Sequence, residues 1–302
     1  MTSDQRDLVH RILRDAPFDL GGDVTVQRPL LEQMLTAQPL PDDVRMTPGE
    51  LGGVPVTFID LDGVTPRGTI FHIHGGGFAV GSARGSVGLA SSLARRTGMR
   101  AVSVDYRLAP EHPYPAALND VTAAYRALLD EADPAEVIVS GESAGGNLAV
   151  ELLVAGKASA LRMPAAAVVF SPMTDLTASG DSFTTKADAD PNITLDAIRT
   201  RAGDYLSGSG TSAADPLVSP IFADLTGLPP LLIQVGSHEV LLADATRLAA
   251  KAADDDVPVI LDVTPGVPHV FQAFAAILDE GDAALDRAAG FVDAHLRVGA
   301  AV

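Results

Sequence analysis

Seven runs of six to eight residues punctuate the chain: Val54 to Leu61, Gly68 to His74, Arg100 to Asp105, Glu136 to Gly141, Ala165 to Ser171, Leu231 to Gly236 and Val257 to Val263. Most are apolar throughout rather than alternating, which predicts strands covered on both faces of a largely parallel sheet. Between them lie Ser86 to Thr97, Ala116 to Glu131, Ala144 to Lys157, Leu241 to Asp254 and Gly281 to Arg297, alanine-rich and apolar at helical spacing. This alternation predicts an α/β fold with helices on both faces of the sheet. No repeat period or low-complexity linker divides the chain, so a single domain is expected over residues 1–302.

Two stretches break the alternation. In residues 1 to about 40, Leu8, Ile12 and Leu13, then Leu30, Leu31 and Met34, predict two short amphipathic helices before any strand. Thr174 to Pro220 is polar, with one helix predicted from Thr194 to Leu206 and opened by Thr194 as N-cap. An insertion of that length between strands reads as a lid over the strand ends.

Composition removes several function classes. The 39 acidic against 21 basic residues give a net charge of -18, which repels phosphate backbones, so nucleic acid is not an expected partner. The chain has no cysteine, which excludes disulfides, thiolate catalysis and cysteine-ligated metal sites. The start, Met1 to His10, mixes charged and apolar residues and lacks the apolar core of a secretory signal, and no apolar run approaches a membrane span. A soluble, cytoplasmic protein is expected.

Gly141-Glu142-Ser143-Ala144-Gly145 matches G-x-S-x-G and falls directly between a predicted strand and a predicted helix. That context makes Ser143 the candidate nucleophile: flanking glycines permit a tight turn with the hydroxyl exposed, and the helix N-terminus favours developing negative charge. Upstream, His74-Gly75-Gly76-Gly77-Phe78 stands at the exit of a strand. Consecutive glycines let backbone N–H groups face a cavity, so Gly75, Gly76 and Gly77, with the N–H of Ala144, are the candidate oxyanion hole. The spacing fits neither nucleotide-binding glycine motif, and His74 reads as a structural hydrogen bonder.

These motifs resemble those of the hormone-sensitive-lipase-like branch of bacterial esterases, α/β-hydrolase proteins. The HGGG motif matches His74 to Gly77, and the G-[DTE]-S-A-G-G motif matches Gly141 to Gly146. Asp105 to Glu111, continuing through Pro115 to Asp120, and Asp215-Pro216 through Ser219-Pro220 to Gly227 to Pro230, extend the likeness. The resemblance implies an α/β-hydrolase fold with a mostly parallel sheet of about eight strands. It also implies a helical cap from residues 1 to about 40 and 174–220, over a core of about 41–173 and 221–302.

A serine nucleophile needs an imidazole base and a carboxylate that fixes its tautomer, in the chain order Ser, acid, His. Downstream of Ser143 stand only His238, His269 and His295. His295 lies in the last helical segment, where a solvated or helix-end role is expected. His238 directly precedes the candidate acid. His269 remains, in the loop Pro265 to Phe271, and matches the family's His-x-Phe loop. For the acid, the family's Gly-x-x-Asp-Pro-Leu segment falls on Gly236 to Leu241, which puts Glu239 where aspartate is commoner. The rival is Asp244, inside the following helix, where a solvent-facing or capping role is expected. Glu239 is preferred because triad carboxylates belong on strand-end loops. Glu142 and Glu111 read as loop braces.

The expected activity is hydrolysis of short to medium acyl esters by acyl transfer through Ser143, His269 and Glu239, with no metal or organic cofactor. A lactone hydrolase, amidase or deacetylase on the same scaffold is the alternative. A non-catalytic binding protein is the other, since plant gibberellin receptors resemble this family without its catalytic histidine. The expected partner is a small-molecule ester, lodged in an apolar pocket to which Phe78, Phe183, Tyr205 and Phe222 contribute. A homodimer is left open, because sheet edges or terminal helices often pair such esterases.

Overall fold

A computed structural model describes residues 2–296. Eight strands form one sheet: β1 (Val44–Leu51), β2 (Val54–Leu61), β3 (Thr69–Ile73), β4 (Arg100–Val104), β5 (Val137–Glu142), β6 (Ala166–Phe170), β7 (Leu231–Gly236) and β8 (Val259–Thr264). Their order is β1-β2-β4-β3-β5-β6-β7-β8, antiparallel through β1, β2 and β4 and parallel from β4 to β8. The helices are α1 (Thr2–Asp15), α2 (Val24–Thr36), α3 (Val87–Thr97), α4 (Ala116–Leu128), α5 (Ala144–Ala158), α6 (Ser182–Thr185), α7 (Leu195–Leu206), α8 (Leu242–Asp254) and α9 (Asp279–His295). This is the α/β-hydrolase architecture, with a sheet of the expected size.

The central strands are buried on both faces, as their unbroken apolar runs require. Every residue of β3 and β6 is buried. Successive side chains then serve opposite cores. Phe71, Ile73, Val137, Val139, Ala167 and Val169 pack on one side with Leu118 and Val121 of α4, Leu148 and Leu152 of α5 and Leu248 of α8. Ile70, Ile138, Ala166, Val168 and Phe170 pack on the other with Leu93 of α3 and Leu285 and Phe291 of α9. Each buried Val, Leu, Ile or Phe among them contributes about 1.5–3 kcal/mol on burial.

The seven apolar runs all form strands, with ends shifted by up to two residues. Strand β1 is not predicted by the pattern. Only its two end residues are buried, and it holds Pro48 and Gly49, so no apolar run marks it. It is an edge strand, where proline is tolerated. The ring of Phe58 on β2 occupies the space a side chain at Gly49 would need, 2.4 Å from its ideal Cβ. The last helix begins at Asp279 and ends at His295, and Arg297 lies outside the described residues.

Both segments that break the alternation carry helices, α1 and α2 in the first and α6 and α7 in the second, where one helix is predicted and most of the rest of that segment is turns and irregular backbone. Thr194 caps α7 as its sequence predicts, its hydroxyl accepting from Ala197 N at 3.2 Å. Helix α1 buries Val9 and Leu13 against Val267, Phe271 and Leu278, the chain around the candidate base. Among the described residues no helix is long and apolar enough to cross a membrane.

Candidate active site

Ser143 sits between β5 and α5 with φ 55° and ψ -122°. A non-glycine residue held there costs on the order of 1–3 kcal/mol and persists only if its surroundings impose it. They do. Ser143 N donates to Phe170 O at 2.9 Å, and Ser143 O accepts from Asn147 N and Met173 N, each at 3.1 Å. The flanking glycines are required sterically, because a Cβ at Gly141 would lie 2.3 Å from Gly145 O and one at Gly145 would lie 2.0 Å from Ile73 O. The turn can be that tight only without side chains.

The glycine loop crosses in front of this turn. A Cβ at Gly75 would meet Glu142 O at 2.8 Å and Ser143 Cβ at 3.0 Å, which measures how closely the loop approaches the serine. Gly75 N–H is already engaged, donating to Glu142 Oε1 at 2.8 Å. This narrows the expected donor set. The N–H groups of Gly76, Gly77 and Ala144 have no partner among the described residues, whereas Gly75 anchors the loop.

The bracing expected of Glu142 is extensive. Its Oε1 also accepts from Ser86 Oγ at 2.7 Å, and its Oε2 lies 2.9 Å from Nε2 of buried His72. Burial pushes the Glu142 carboxyl up, but the charge and contact of His72, with the Ser86 and Gly75 donors, bring it below the usual range. His74 holds the loop from below. Burial lowers its pKa, so the neutral ring donates from Nδ1 to Gly75 O at 2.8 Å and stacks on Tyr106 at 4.2 Å. The Tyr106 hydroxyl donates to His74 O at 2.9 Å, so the Asp105 to Glu111 segment braces the glycines. Glu111 pairs with Arg28, which holds its carboxyl at about 2, and Arg28 Nε donates to Ala79 O.

Beyond β7 and β8, Glu239 and His269 meet: Nδ1 of His269 is 2.8 Å from Glu239 Oε2. Glu239 is fully buried, and its other oxygen accepts from Gly236 N at 2.6 Å and Ser171 Oγ at 2.9 Å. Burial lowers the His269 pKa, but the hydrogen bond and charge of Glu239 outweigh it and the pKa ends above its ordinary value. Ser171 is a site residue that sequence reasoning missed. Its hydroxyl also accepts from Val270 N at 3.1 Å, fixing the residue after the imidazole. Since Phe170 O holds Ser143 and Ser171 Oγ holds Glu239, the end of β6 ties the serine turn to Glu239 and His269. The His269 ring bonds Glu239 through Nδ1, and no hydrogen bond joins it to Ser143 Oγ among the described residues.

The other candidates lie elsewhere. Asp244 is fully buried rather than solvent-facing, and its Oδ2 accepts from Thr174 N at 2.8 Å and Asp175 N at 2.9 Å, so it clamps the chain after β6. His238 packs edge-on against His10 of α1 at 5.5 Å, and His295 Nδ1 bonds Phe291 O at the end of α9. Phe78 and Tyr205 are fully buried against each other, 3.9 Å apart, and so fill space that an apolar pocket was expected to leave open.

A sequence model of the alpha/beta hydrolase fold matches residues 70–273, which span the serine turn, the glycine loop and the histidine loop. The chain belongs to the α/β-hydrolase family. Within this family it is similar to an esterase of Acinetobacter venetianus, 39% identical over 265 residues and 87% of each chain. It is also similar to an acetyl-hydrolase of Streptomyces hygroscopicus, 41% identical over 74% of this chain and 75% of that one. A solved esterase of the bacterial hormone-sensitive lipase family is 40% identical and superposes with a TM-score of 0.93, covering 98% of this α/β hydrolase and 99% of the solved chain. The hormone-sensitive-lipase resemblance therefore extends across almost the whole fold.

Proposed function

We propose that this α/β hydrolase is a serine carboxylesterase acting on short to medium acyl esters, with Ser143 as nucleophile, His269 as base and Glu239 as the orienting acid. The observation that carries the proposal is the 2.8 Å contact between His269 Nδ1 and the buried carboxylate of Glu239, on loops tied to the serine turn. A carboxylate on Nδ1 leaves Nε2 unprotonated to take the serine proton, and stabilises the imidazolium that follows. Ser143 Oγ then bonds to the ester carbonyl carbon, and the carbonyl oxygen becomes an oxyanion facing the N–H groups of Gly76, Gly77 and Ala144. Collapse expels the alcohol with the proton from His269, and water repeats the sequence to release the acid. Gly75 serves as anchor rather than donor, its N–H being held by Glu142.

Residues 1 to about 40 and 174–220 form the cap of this enzyme. Arg201 of α7 donates to Gly22 O at 3.0 Å, and Arg28 of α2 to Ala79 O at 2.8 Å, so both segments reach the chain around the glycine loop. The esterase and acetyl-hydrolase names of the relatives agree with a small acyl group.

The test is steady-state hydrolysis of nitrophenyl acetate and butyrate, with an anilide and a medium-ring lactone in parallel, for the wild type and for Ser143→Ala and His269→Ala. Both variants are expected to lose ester turnover with unchanged circular dichroism, and a serine-reactive phosphonate is expected to label Ser143. Turnover retained in either variant refutes the mechanism. An unlabelled serine together with absent turnover returns the protein to the binding class, and a faster anilide or lactone reaction reassigns the bond.

A further inference from the structure

We infer that helix α7 of the cap, through Tyr205 and Arg201, positions the oxyanion loop, so that the cap takes part in stabilising the transition state rather than only enclosing substrate. The inference rests on the reading of Ser143 and its glycine loop given above. Phe78, the residue after the last glycine, has φ 64°. For a bulky aromatic residue the left-handed region is a true outlier, costing on the order of 1–3 kcal/mol, and something outside the loop must hold it.

Tyr205 does so. Its ring stacks on Phe78 at 3.9 Å with 7° between planes, and neither ring is exposed. Tyr205 is itself fixed at three points. Its carbonyl accepts from Tyr114 N at 2.6 Å, the Tyr114 ring packs edge-on at 5.7 Å, and its hydroxyl donates to Glu151 Oε2 at 3.2 Å. Glu151 is wholly buried on α5, two turns after Ser143, and burial pushes its carboxyl far up. Its other oxygen accepts from Asn147 Nδ2 at 2.9 Å, and Asn147 N donates to Ser143 O. Contacts therefore run from Phe78 through the cap tyrosine to the nucleophile's own helix.

Arg201 lies one turn before Tyr205, and i, i+4 spacing puts both on one face of α7. Its stem lies over Gly77, where a Cβ would sit 2.5 Å from Arg201 Cγ. The guanidinium is buried, donates to Gly22 O at 3.0 Å and pairs with Asp204 of the same helix at 3.2 Å, while its Nε and Nη1 have no partner among the described residues. An apolar side chain could fill that space without leaving buried donors unsatisfied. Besides its pairing with Asp204, the guanidinium ties α7 to the N-terminal segment at Gly22, so the residue that covers Gly77 is itself held by both cap segments. One helix face thus grips Gly77 and Phe78 in succession, and the N–H of Gly77 is among the free donors of the loop.

If the stack is lost, only the hydrogen bond that Phe78 O accepts from Ala109 N at 2.9 Å still holds Phe78 in the left-handed region, so the residue is held less firmly and the adjoining Gly77 loses a fixed neighbour for its N–H. An interaction realised in the transition state then weakens while ground-state binding is spared, which appears in kcat and not in KM. The experiment compares Tyr205→Leu, which removes the stack, with Tyr205→Phe, which keeps the ring and loses only the hydroxyl. Kinetics on nitrophenyl butyrate and the affinity for a trifluoromethyl ketone, whose adduct carries an oxyanion, are measured for each. Tyr205→Leu is expected to lower kcat by about 30- to 100-fold and the ketone affinity by a similar factor, with KM within about threefold. Tyr205→Phe is expected to stay within about fivefold of wild type in kcat at unchanged KM.

A raised KM with unchanged kcat in either variant, or wild-type behaviour in Tyr205→Leu, overturns the inference. If Tyr205→Leu does not fold, Phe78→Leu removes the same stack from the loop side and is read against the same criteria. If neither folds, Tyr205→Phe decides alone through the loss of the Glu151 tie: a kcat lowered about two- to fivefold at unchanged KM keeps the positioning role, and a wild-type kcat or a shift confined to KM refutes it. Phosphonate labelling of wild-type Ser143 separates the two ideas: no label sinks the esterase reading itself, whereas normal labelling with any overturning result sinks only the role of α7.

Discussion

Replacing Asp244 by Asn tests the assignment of the acid from its other side. Asp244 is fully buried in the first turn of α8, and only one of its oxygens has partners, the N–H groups of Thr174 and Asp175. Its Oδ1 has none among the described residues. Burial pushes its carboxyl from the usual 3.8 up to about 8, and the nearby charge of Asp175, itself paired with Arg247 at 2.6 Å, adds to the rise. A pKa raised on folding means that the folded protein holds the proton more tightly. The resulting stability is complete below about pH 4 and is lost as pH climbs toward 8, at roughly 1.4 kcal/mol per pH unit. Asn keeps an oxygen for the two backbone donors and cannot ionise. The stability of wild type relative to Asp244→Asn is therefore expected to fall by up to about 4 kcal/mol between pH 5 and pH 8, then level off. Urea unfolding at pH 5, 6.5, 8 and 9 measures it, and ester turnover at pH 7.5 is expected to stay within about threefold of wild type, since Asp244 touches neither Ser143 nor His269. A gap that does not move with pH means that Asp244 is ionised in the fold. Turnover lost by orders of magnitude would transfer the role of acid from Glu239 to Asp244.

Glu239→Gln is expected to lower kcat/KM by about 10³- to 10⁴-fold, as an amide can no longer stabilise the imidazolium. The pH profile gives a second reading: wild-type kcat/KM is expected to fall as pH drops through a value above 6.5, because Glu239 favours protonated His269, and in Glu239→Gln that inflection moves lower. Glu142→Ala leaves the Gly75 N–H and the Ser86 hydroxyl without their acceptor, and is expected to lower kcat by about 10- to 100-fold with little change in KM. A parallel loss in KM would instead make Glu142 part of a substrate wall.

What the sequence makes legible is whatever depends on local rules. Ser143 could be read because a strand, a G-x-S-x-G turn and a helix are contiguous, and each obeys a periodicity. The seven apolar runs could be read because burial on both faces removes polar residues from a strand. Strand β1 could not, since its middle six residues are exposed and it is held by pairing along its whole length with β2. Ser171 carries no local signal at all. It is a serine at the end of an apolar strand, and its bonds to Glu239 and Val270 link residues 68 and 99 positions away. Asp244 misled for the opposite reason: a carboxylate in the first turn of a helix satisfies the rule for a solvated or capping residue, and only the tertiary fold shows that two backbone donors from another segment need it.

The glycine loop shows where local reading stops. Gly75, Gly76 and Gly77 are the same residue type in succession, and a glycine run alone does not distinguish one N–H from the next. They differ only in what surrounds them: Gly75 is taken by the carboxylate of Glu142, Gly76 is pressed against Val80 O, which would lie 2.2 Å from a Cβ there, and Gly77 lies under Arg201 of the cap. Each therefore needs to be glycine for a separate reason, namely approach to the nucleophile turn, closure of the loop on itself and contact with α7. Substitution at the three positions is accordingly expected to fail in three ways rather than one. Of the three, Gly77 is the one whose missing side chain is replaced by a residue of α7, with Arg201 Cγ 2.5 Å from the position of a Cβ, so a substitution there is expected to displace α7 as well as the loop.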